Sequence, residues 1–266
     1  MVCCDVRVVK LGGELLEEPT RLTALAHRLL RLARSAPLVV VHGGGREIDA
    51  ELGRRGLRKQ AVDGLRVTDA ATLDAVVSVL AGLVNTRLVS ALVSQGARAV
   101  GLTGVDDALG LAEKAPHHRA TDGRIVDLGL VGTPVGNARG SLLSDLVTLG
   151  YVPVVASVGV DASGQVLNVN ADTLAAHVAT TLDAKTLWMA GGTPGVLDPN
   201  GETISRLTRE AAQAMMANGS ASAGMVAKLT ACLSALDAGA SDVRIIDGRA
   251  TDLDAAPGTR LCEGRK

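Results

Sequence analysis

Val8-Val9-Lys10-Leu11-Gly12-Gly13 and, further on, Val39-Val40-Val41-His42-Gly43-Gly44-Gly45 decide how this chain folds. Each is a short run of β-branched and aliphatic residues that passes straight into glycines and then into residues of helical spacing. Such runs read as buried strands. Glycine lets a backbone approach an anion closely, and a helix that starts at once offers N–H groups that no helical carbonyl takes. Two such turns, one with a lysine at the strand end, predict a chain that holds phosphate or carboxylate groups. That suits phosphoryl transfer.

The same alternation continues outward. Val6–Leu11 and Leu38–His42 read as strands, Leu22–Ala33 and Glu47–Arg54 as helices. Ala99–Thr103, Val152–Ser157, Thr186–Met189 and Asp242–Ile246 are further short apolar strands, each after a helical stretch. The pattern predicts an α/β chain with a parallel sheet covered on both faces. Ala70–Gln95 is one long helical stretch, apolar beyond what a single buried stripe requires. It reads either as a central core helix or as a helix covered on its second side by another subunit. Between Leu111 and Pro134, His117, His118, Thr121-Asp122-Gly123 and Val126–Val131 suggest a β-hairpin around a glycine turn, standing out from the sheet as a lid. The two histidines read as solvated hairpin residues, with no acidic or sulfur ligand at fixed spacing.

Composition excludes several classes. The 266 residues carry a net charge of −1 and no Phe, with Tyr151 and Trp188 as the only aromatics. A chain with neither a basic stripe nor stacking platforms is a poor nucleic-acid binder. Cys3, Cys4, Cys232 and Cys262 lack CxxC spacing and read as free thiols of a reducing cytosol. No leader segment and no apolar run of transmembrane length is visible, so the expectation is a soluble cytoplasmic protein without membrane contact.

Three more segments carry chemistry. In Gly64-Leu65-Arg66-Val67-Thr68, Arg66 is a planar fork suited to a carboxylate. Leu167-Asn168-Val169-Asn170-Ala171-Asp172, if extended, puts Asn168, Asn170 and Asp172 on one side. It reads either as an Asn/Asp turn that caps a helix, or as two ligand amides and a carboxylate that orients lysines. Gly224-Met225-Val226-Ala227-Lys228 opens a helix with Lys228 in its first turns. Moving a phosphoryl group needs positive charge on its equatorial oxygens and in-line positioning more than covalent help. Lys10 and Lys228 supply the charge in this reading, Asp172 holds both, and Gly12, Gly44 and Gly45 give N–H groups. The Walker loop, the dinucleotide G-x-G-x-x-G turn and the protein-kinase signatures are absent from the sequence.

In this order the segments resemble the amino-acid kinase family. The match runs over nearly the whole chain and adds Asp127-Leu128-Gly129-Leu130-Val131-Gly132 and Ile245-Ile246-Asp247-Gly248-Arg249. The resemblance implies a three-layer αβα sandwich with a mainly parallel central sheet and two lobes. Residues 1–170 would bind an acylated amino acid and form a homodimer through Ala70–Gln95; residues 171–266 would bind ATP, whose Mg2+ the nucleotide carries without a protein metal site. Within the family the motifs are most like those of members that phosphorylate the γ-carboxylate of N-acetyl-L-glutamate in arginine biosynthesis. Carried over, Lys10 and Lys228 would stabilise the transferring phosphoryl group, and Asp172 would organise them. Gly44 and Gly45 would bind substrate through N–H groups, Arg66 would take its α-carboxylate, and Asn168 would contact its acetamido side. Gly12, Gly192, Gly195 and Met225 would line the nucleotide. The rivals are a kinase for acetylated or carrier-linked 2-aminoadipate and a non-catalytic ligand-binding paralogue.

The sequence also departs from the family pattern. Gly192 stands about where the nucleotide loop usually has an Asp, and Ala223 where a glycine commonly precedes Gly224-Met225. The tail after Arg249 is short. Only nine residues precede Lys10, whereas arginine-inhibited members carry an extra N-terminal helix that links dimers into a hexamer. The expectation is a dimer without that inhibition.

Overall fold

The two valine-rich runs form adjacent strands, Arg7–Leu11 (β1) and Leu38–His42 (β2), at the middle of one sheet. The computed structural model describes residues 5–120, 122–136 and 140–264; the expectation for Cys3 and Cys4, and Thr121 of the hairpin turn, lie outside them. Ala99–Thr103 (β3), Val152–Ala156 (β4), Thr186–Gly191 (β5), Arg206–Thr208 (β6), Asp242–Asp247 (β7) and Gly258–Cys262 (β8) complete the sheet. It has eight strands in the order β6-β8-β7-β5-β1-β2-β4-β3. All run parallel from β7 to β3; β8 is antiparallel to β7, and β6 runs alongside β8.

Strand periodicity builds two cores. Val8, Val39, Val41, Leu187 and Met189 face one side. Val9, Leu11, Val40, Trp188 and Ala190 face the other. On the first side pack Ser141–Thr148 (α4), Ala171–Thr181 (α5) and Ala223–Asp237 (α7), through Leu143, Leu174 and Leu229 among others. On the second pack Pro19–Ser35 (α1), Gly45–Arg54 (α2) and Ala70–Ser94 (α3), through Leu25, Ile48 and Leu88. The remaining helix, Arg209–Ala217 (α6), follows β6. The expected three-layer α/β sandwich is therefore the fold observed, with α1 running a turn longer than its apolar spacing marks.

The long helix needs two corrections. At 25 residues, α3 is long and apolar enough to cross a membrane, against the expectation of no such run. Its Leu73, Val76, Leu80, Leu88 and Leu92 are buried, the packing of a core helix on its own sheet. Its middle, Ser78–Val84, winds as a π-helix. That phase shift turns Asn85 into the core, where its side chain lies against Gly101 of the edge strand β3 and leaves no room for a Cβ there.

The hairpin is built on two levels. Ala112–Lys114 pairs with Val131–Pro134 in a four-stranded sheet that also holds Val158–Val160 and Val166–Val169. Beyond it, His118–Arg119 pairs with Ile125–Val126, around a turn in which Gly123 takes a φ of +87°. His118 is not merely solvated, because its Nε2 meets Oδ2 of Asp63 at 2.7 Å. The hairpin is thus tied to the turn that carries Arg66.

Candidate active site

Lys10 lies one residue from the C-terminal end of β1, between Val41 of β2 and Met189 of β5. Its Nζ is 2.8 Å from Oδ1 of Asp172. Asp172 stands in the first turn of α5, which Asn170 caps: Oδ1 of Asn170 accepts from the N–H groups of Asp172 and Thr173. On the other side of the carboxylate, Nζ of Lys228 from α7 is 3.8 Å from Oδ2. The side chains of Lys10 and Asp172 are only 8% and 7% exposed, and Lys228 is 21% exposed. One buried carboxylate between two ammonium groups leaves a net positive charge at the strand ends. A turn along α7, Cys232 is fully buried; burial and then the Asp172 carboxylate push its thiol pKa up, so it stays protonated.

Beside this cluster is a cavity of about 220 Å3, lined in part by Gly44, Gly45, Arg66, Asn168, Asn170 and Ala171. All the sequence-predicted acyl-substrate residues are therefore brought together. Gly45 opens α2, so its N–H is one that no helical carbonyl takes. Nη2 of Arg66 donates to Oδ1 of Asp49, and also to the carbonyl of Gly45 at 3.3 Å. Nη1 of Arg66 is buried without a partner. The guanidinium is thus held from one side with an open donor on the other, rather than free to offer a whole fork. Burial pushes the Asp49 carboxyl up, but hydrogen bonds from Lys59 and Arg66 outweigh it and the net shift is downward. Asn168 donates Nδ2 to Oγ1 of the buried Thr68 at 3.0 Å.

One expectation fails here, and of the two readings of the Asn/Asp segment the helix cap is observed. Gly12 does not offer its N–H to an anion, because that group donates to the carbonyl of Ala190 at 2.8 Å and extends the β1–β5 pairing. Asn170 is not a second ligand amide through its oxygen, which is the helix cap. Alternation ends at Asn170 because helix begins at Ala171, and a carboxylate in the first turn of α5 is favoured by the helix dipole.

The model of the amino acid kinase family matches residues 5–247. The chain belongs to the amino acid kinase family. It is 43% identical over 243 residues to the acetylglutamate kinase of Chloroflexus aurantiacus, covering 91% of this chain and 92% of that protein. To the acetylglutamate kinase of Symbiobacterium thermophilum it is 42% identical over 214 residues, covering 79% of this chain and 73% of that one. A solved structure from Streptococcus mutans UA159 superposes with a TM-score of 0.82 at 25% identity, over 98% of this chain and 99% of that chain. This chain of the family is an enzyme, a kinase.

Gly192 follows β5, and its N–H donates to Oε1 of Glu14 at 2.7 Å. Gly195 takes a φ of +136°, and a Cβ there would press on Thr259 and Thr203, which accounts for the glycine by packing alone. Met225 sits in the first turn of α7, partly buried against the core. The sequence reading missed Glu14, Asp49 and Asn85. Asp49 had a signal: it lies four residues after Gly45 on α2, hence on the same helical face.

Proposed function

We propose that this chain transfers the γ-phosphoryl group of ATP to the γ-carboxylate of N-acetyl-L-glutamate, the second step of arginine biosynthesis. The observation that carries the reading is the pair of lysines on opposite oxygens of Asp172, at 2.8 and 3.8 Å, next to the cavity that holds Arg66 and the Gly44-Gly45 turn. The names of its relatives support the acyl substrate.

In this reading a substrate carboxylate oxygen attacks the γ-phosphorus as the bond to the β,γ-bridging oxygen breaks. ADP and an acyl phosphate are the products. Lys10 and Lys228 neutralise charge on the equatorial oxygens, a stabilisation that exists mainly in the transition state. Asp172 keeps the two ammonium groups close despite their repulsion. Nη1 of Arg66 takes the α-carboxylate, the Gly44-Gly45 turn binds substrate oxygens, and Asn168 meets the acetamido side. Mg2+ would enter on the nucleotide's phosphates and neutralise charge there.

Residues 1–170 form the acyl-substrate and dimerisation lobe in this reading, and residues 171–266 the ATP lobe, with Gly195 and Met225 beside the nucleotide. Leu83 and Val93 of α3 are exposed apolar residues, which supports a homodimer built on that helix. In this reading the enzyme works in the cytoplasm. An ADP-release assay with N-acetylglutamate, N-acetylaminoadipate, glutamate and aspartate tests the function. Turnover greatest with N-acetylglutamate is expected; preference for the longer acid, or no ATP-dependent turnover, overturns it.

A further inference from the structure

Glu14 follows the first glycine turn directly, in the short 3-10 turn Gly13–Leu15. Its carboxylate reaches across to the second strand end and accepts the N–H of Gly192 at 2.7 Å. A Cβ on Gly12 would lie 2.5 Å from both Glu14 carboxylate oxygens, and one on Gly191 would lie 3.3 Å from Oε1. The carboxylate is therefore seated between the glycine turns that end β1 and β5. Gly192 is what lets it close: a Cβ there would meet Nη2 of Arg249 at 2.9 Å and Cγ of Glu14 at 3.2 Å. Arg249 completes the closure by donating to the carbonyl of Gly192 at 3.3 Å.

A backbone N–H in a glycine turn at the C-terminal end of a parallel strand is a place for a ligand's anionic group. Here that place already holds an anion, and it belongs to the chain. Two anions cannot share one N–H, and a phosphate beside an unscreened carboxylate is repelled. We propose that Glu14 sets the nucleotide affinity of this enzyme, acting as an internal anion that must leave the Gly192 amide before a nucleotide phosphate can occupy it.

The displaced carboxylate also needs a place, and the lining of the adjoining cavity offers one. Glu14 lines a cavity of about 490 Å3 together with Arg21, Arg28 and Arg249. Among the described residues it forms an ion pair with none of them. Nε of Arg28 is buried there without a partner. Rotation away from Gly192 brings the carboxylate toward three guanidinium groups, so release leaves it in a favourable field. Apparent affinity then falls with the fraction of molecules in which Glu14 covers the amide.

This inference rests on the nucleotide-binding role proposed above, and calorimetry separates the two. ATP and ADP are titrated into the wild-type chain, Glu14→Gln and Glu14→Ala, each with and without Mg2+, after thermal melts confirm folding. Glu14→Ala should bind both nucleotides roughly tenfold more tightly, since it frees an amide from a charged acceptor. Glu14→Gln, whose neutral oxygen can still accept from Gly192, should gain less. The gain should persist without Mg2+. Unchanged affinity in both variants overturns the inference alone. So does weaker binding confined to the Mg2+ titrations, which would make Glu14 a contact of the nucleotide's metal. If no protein binds either nucleotide, the nucleotide-binding reading fails and this inference fails with it.

Discussion

Asn85, carried into the core by the π-helical segment of α3, donates its Nδ2 to Nε2 of His42 at 3.0 Å and to the carbonyl of Val154 at 2.9 Å. His42 is the last residue of β2, and the Gly43-Gly44-Gly45 turn starts from it. Burial lowers its pKa to about 4, with a smaller push from the Lys10 charge against a pull from the Gly43 carbonyl. The helix α3 therefore fixes the root of the Gly43-Gly44-Gly45 turn through a histidine that burial keeps neutral.

A histidine whose folded pKa lies below its unfolded value contributes its full stability above about pH 6.5, and the contribution falls as pH drops toward the folded pKa. At pH 5 the wild-type chain should have lost about 2 kcal/mol through this group. His42→Leu removes the titration and takes one buried acceptor from Asn85 Nδ2, which keeps the carbonyls of Val154 and Leu102, costing about 1–3 kcal/mol near neutrality. Urea unfolding of both proteins at pH 7.5 and pH 5 should show the variant's deficit shrinking at the lower pH. A deficit equal at both values would mean that His42 does not titrate on unfolding.

The clamp around Asp172 is asymmetric, and the two lysines should separate in stability but not in chemistry. Lys10→Ala or Lys228→Ala should each lower kcat by roughly two to four orders of magnitude. Lys10→Ala should also destabilise the fold by about 3–5 kcal/mol, because it removes the nearer partner of a buried carboxylate. Lys228, farther from Asp172 and more exposed, should cost less. Steady-state kinetics with denaturant curves on the same samples test both halves; near-native kcat in either variant removes that lysine from the phosphoryl site.

Arg66 is oriented by Asp49, so both should act on acyl-substrate binding. Arg66→Lys cannot keep the Asp49 contact and offer a donor at the Nη1 position together. It should raise KM for the acyl substrate far more than it lowers kcat, leaving KM for ATP alone. Asp49→Asn, which weakens the hold on the guanidinium, should do the same to a smaller extent. An equal rise in KM for ATP would send Arg66 elsewhere.

Much of this was legible in the sequence because it rests on local periodicity. Strands such as Leu38–His42 are buried on both faces and carry an aliphatic run that ends only at the terminal histidine. The residues proposed for the acyl substrate share one cavity because Gly44 and Gly45 form a glycine turn, Arg66 ends a short strand and Asn168 lies one residue before the end of another. What was hidden depends on partners distant in sequence. The amide of Gly12 looks free until Ala190 is known to lie beside it. The loss of a carboxylate at Gly192 reads as a gap until Glu14 is seen to reach it. His118 reads as solvated until Asp63 is placed opposite.

The face of α3 was hidden for a different reason. Its residues are apolar on nearly every side, so spacing alone could not say which would meet another subunit. The π-helical stretch also shifts the helical phase partway along. Val79 is apolar like its neighbours, yet it is buried at 2% exposure, whereas Leu83 and Val93 are 43% and 53% exposed. Val79→Asp should therefore unfold the chain, since it places an unpaired charge in the core. Leu83→Asp and Val93→Asp should keep the wild-type thermal midpoint of the isolated fold and weaken a dimer that buries them. Light scattering over a dilution series, read beside circular dichroism melts, distinguishes the cases. A wild-type monomer, or a dimer unaffected by either exposed substitution, would place any subunit contact away from this helix.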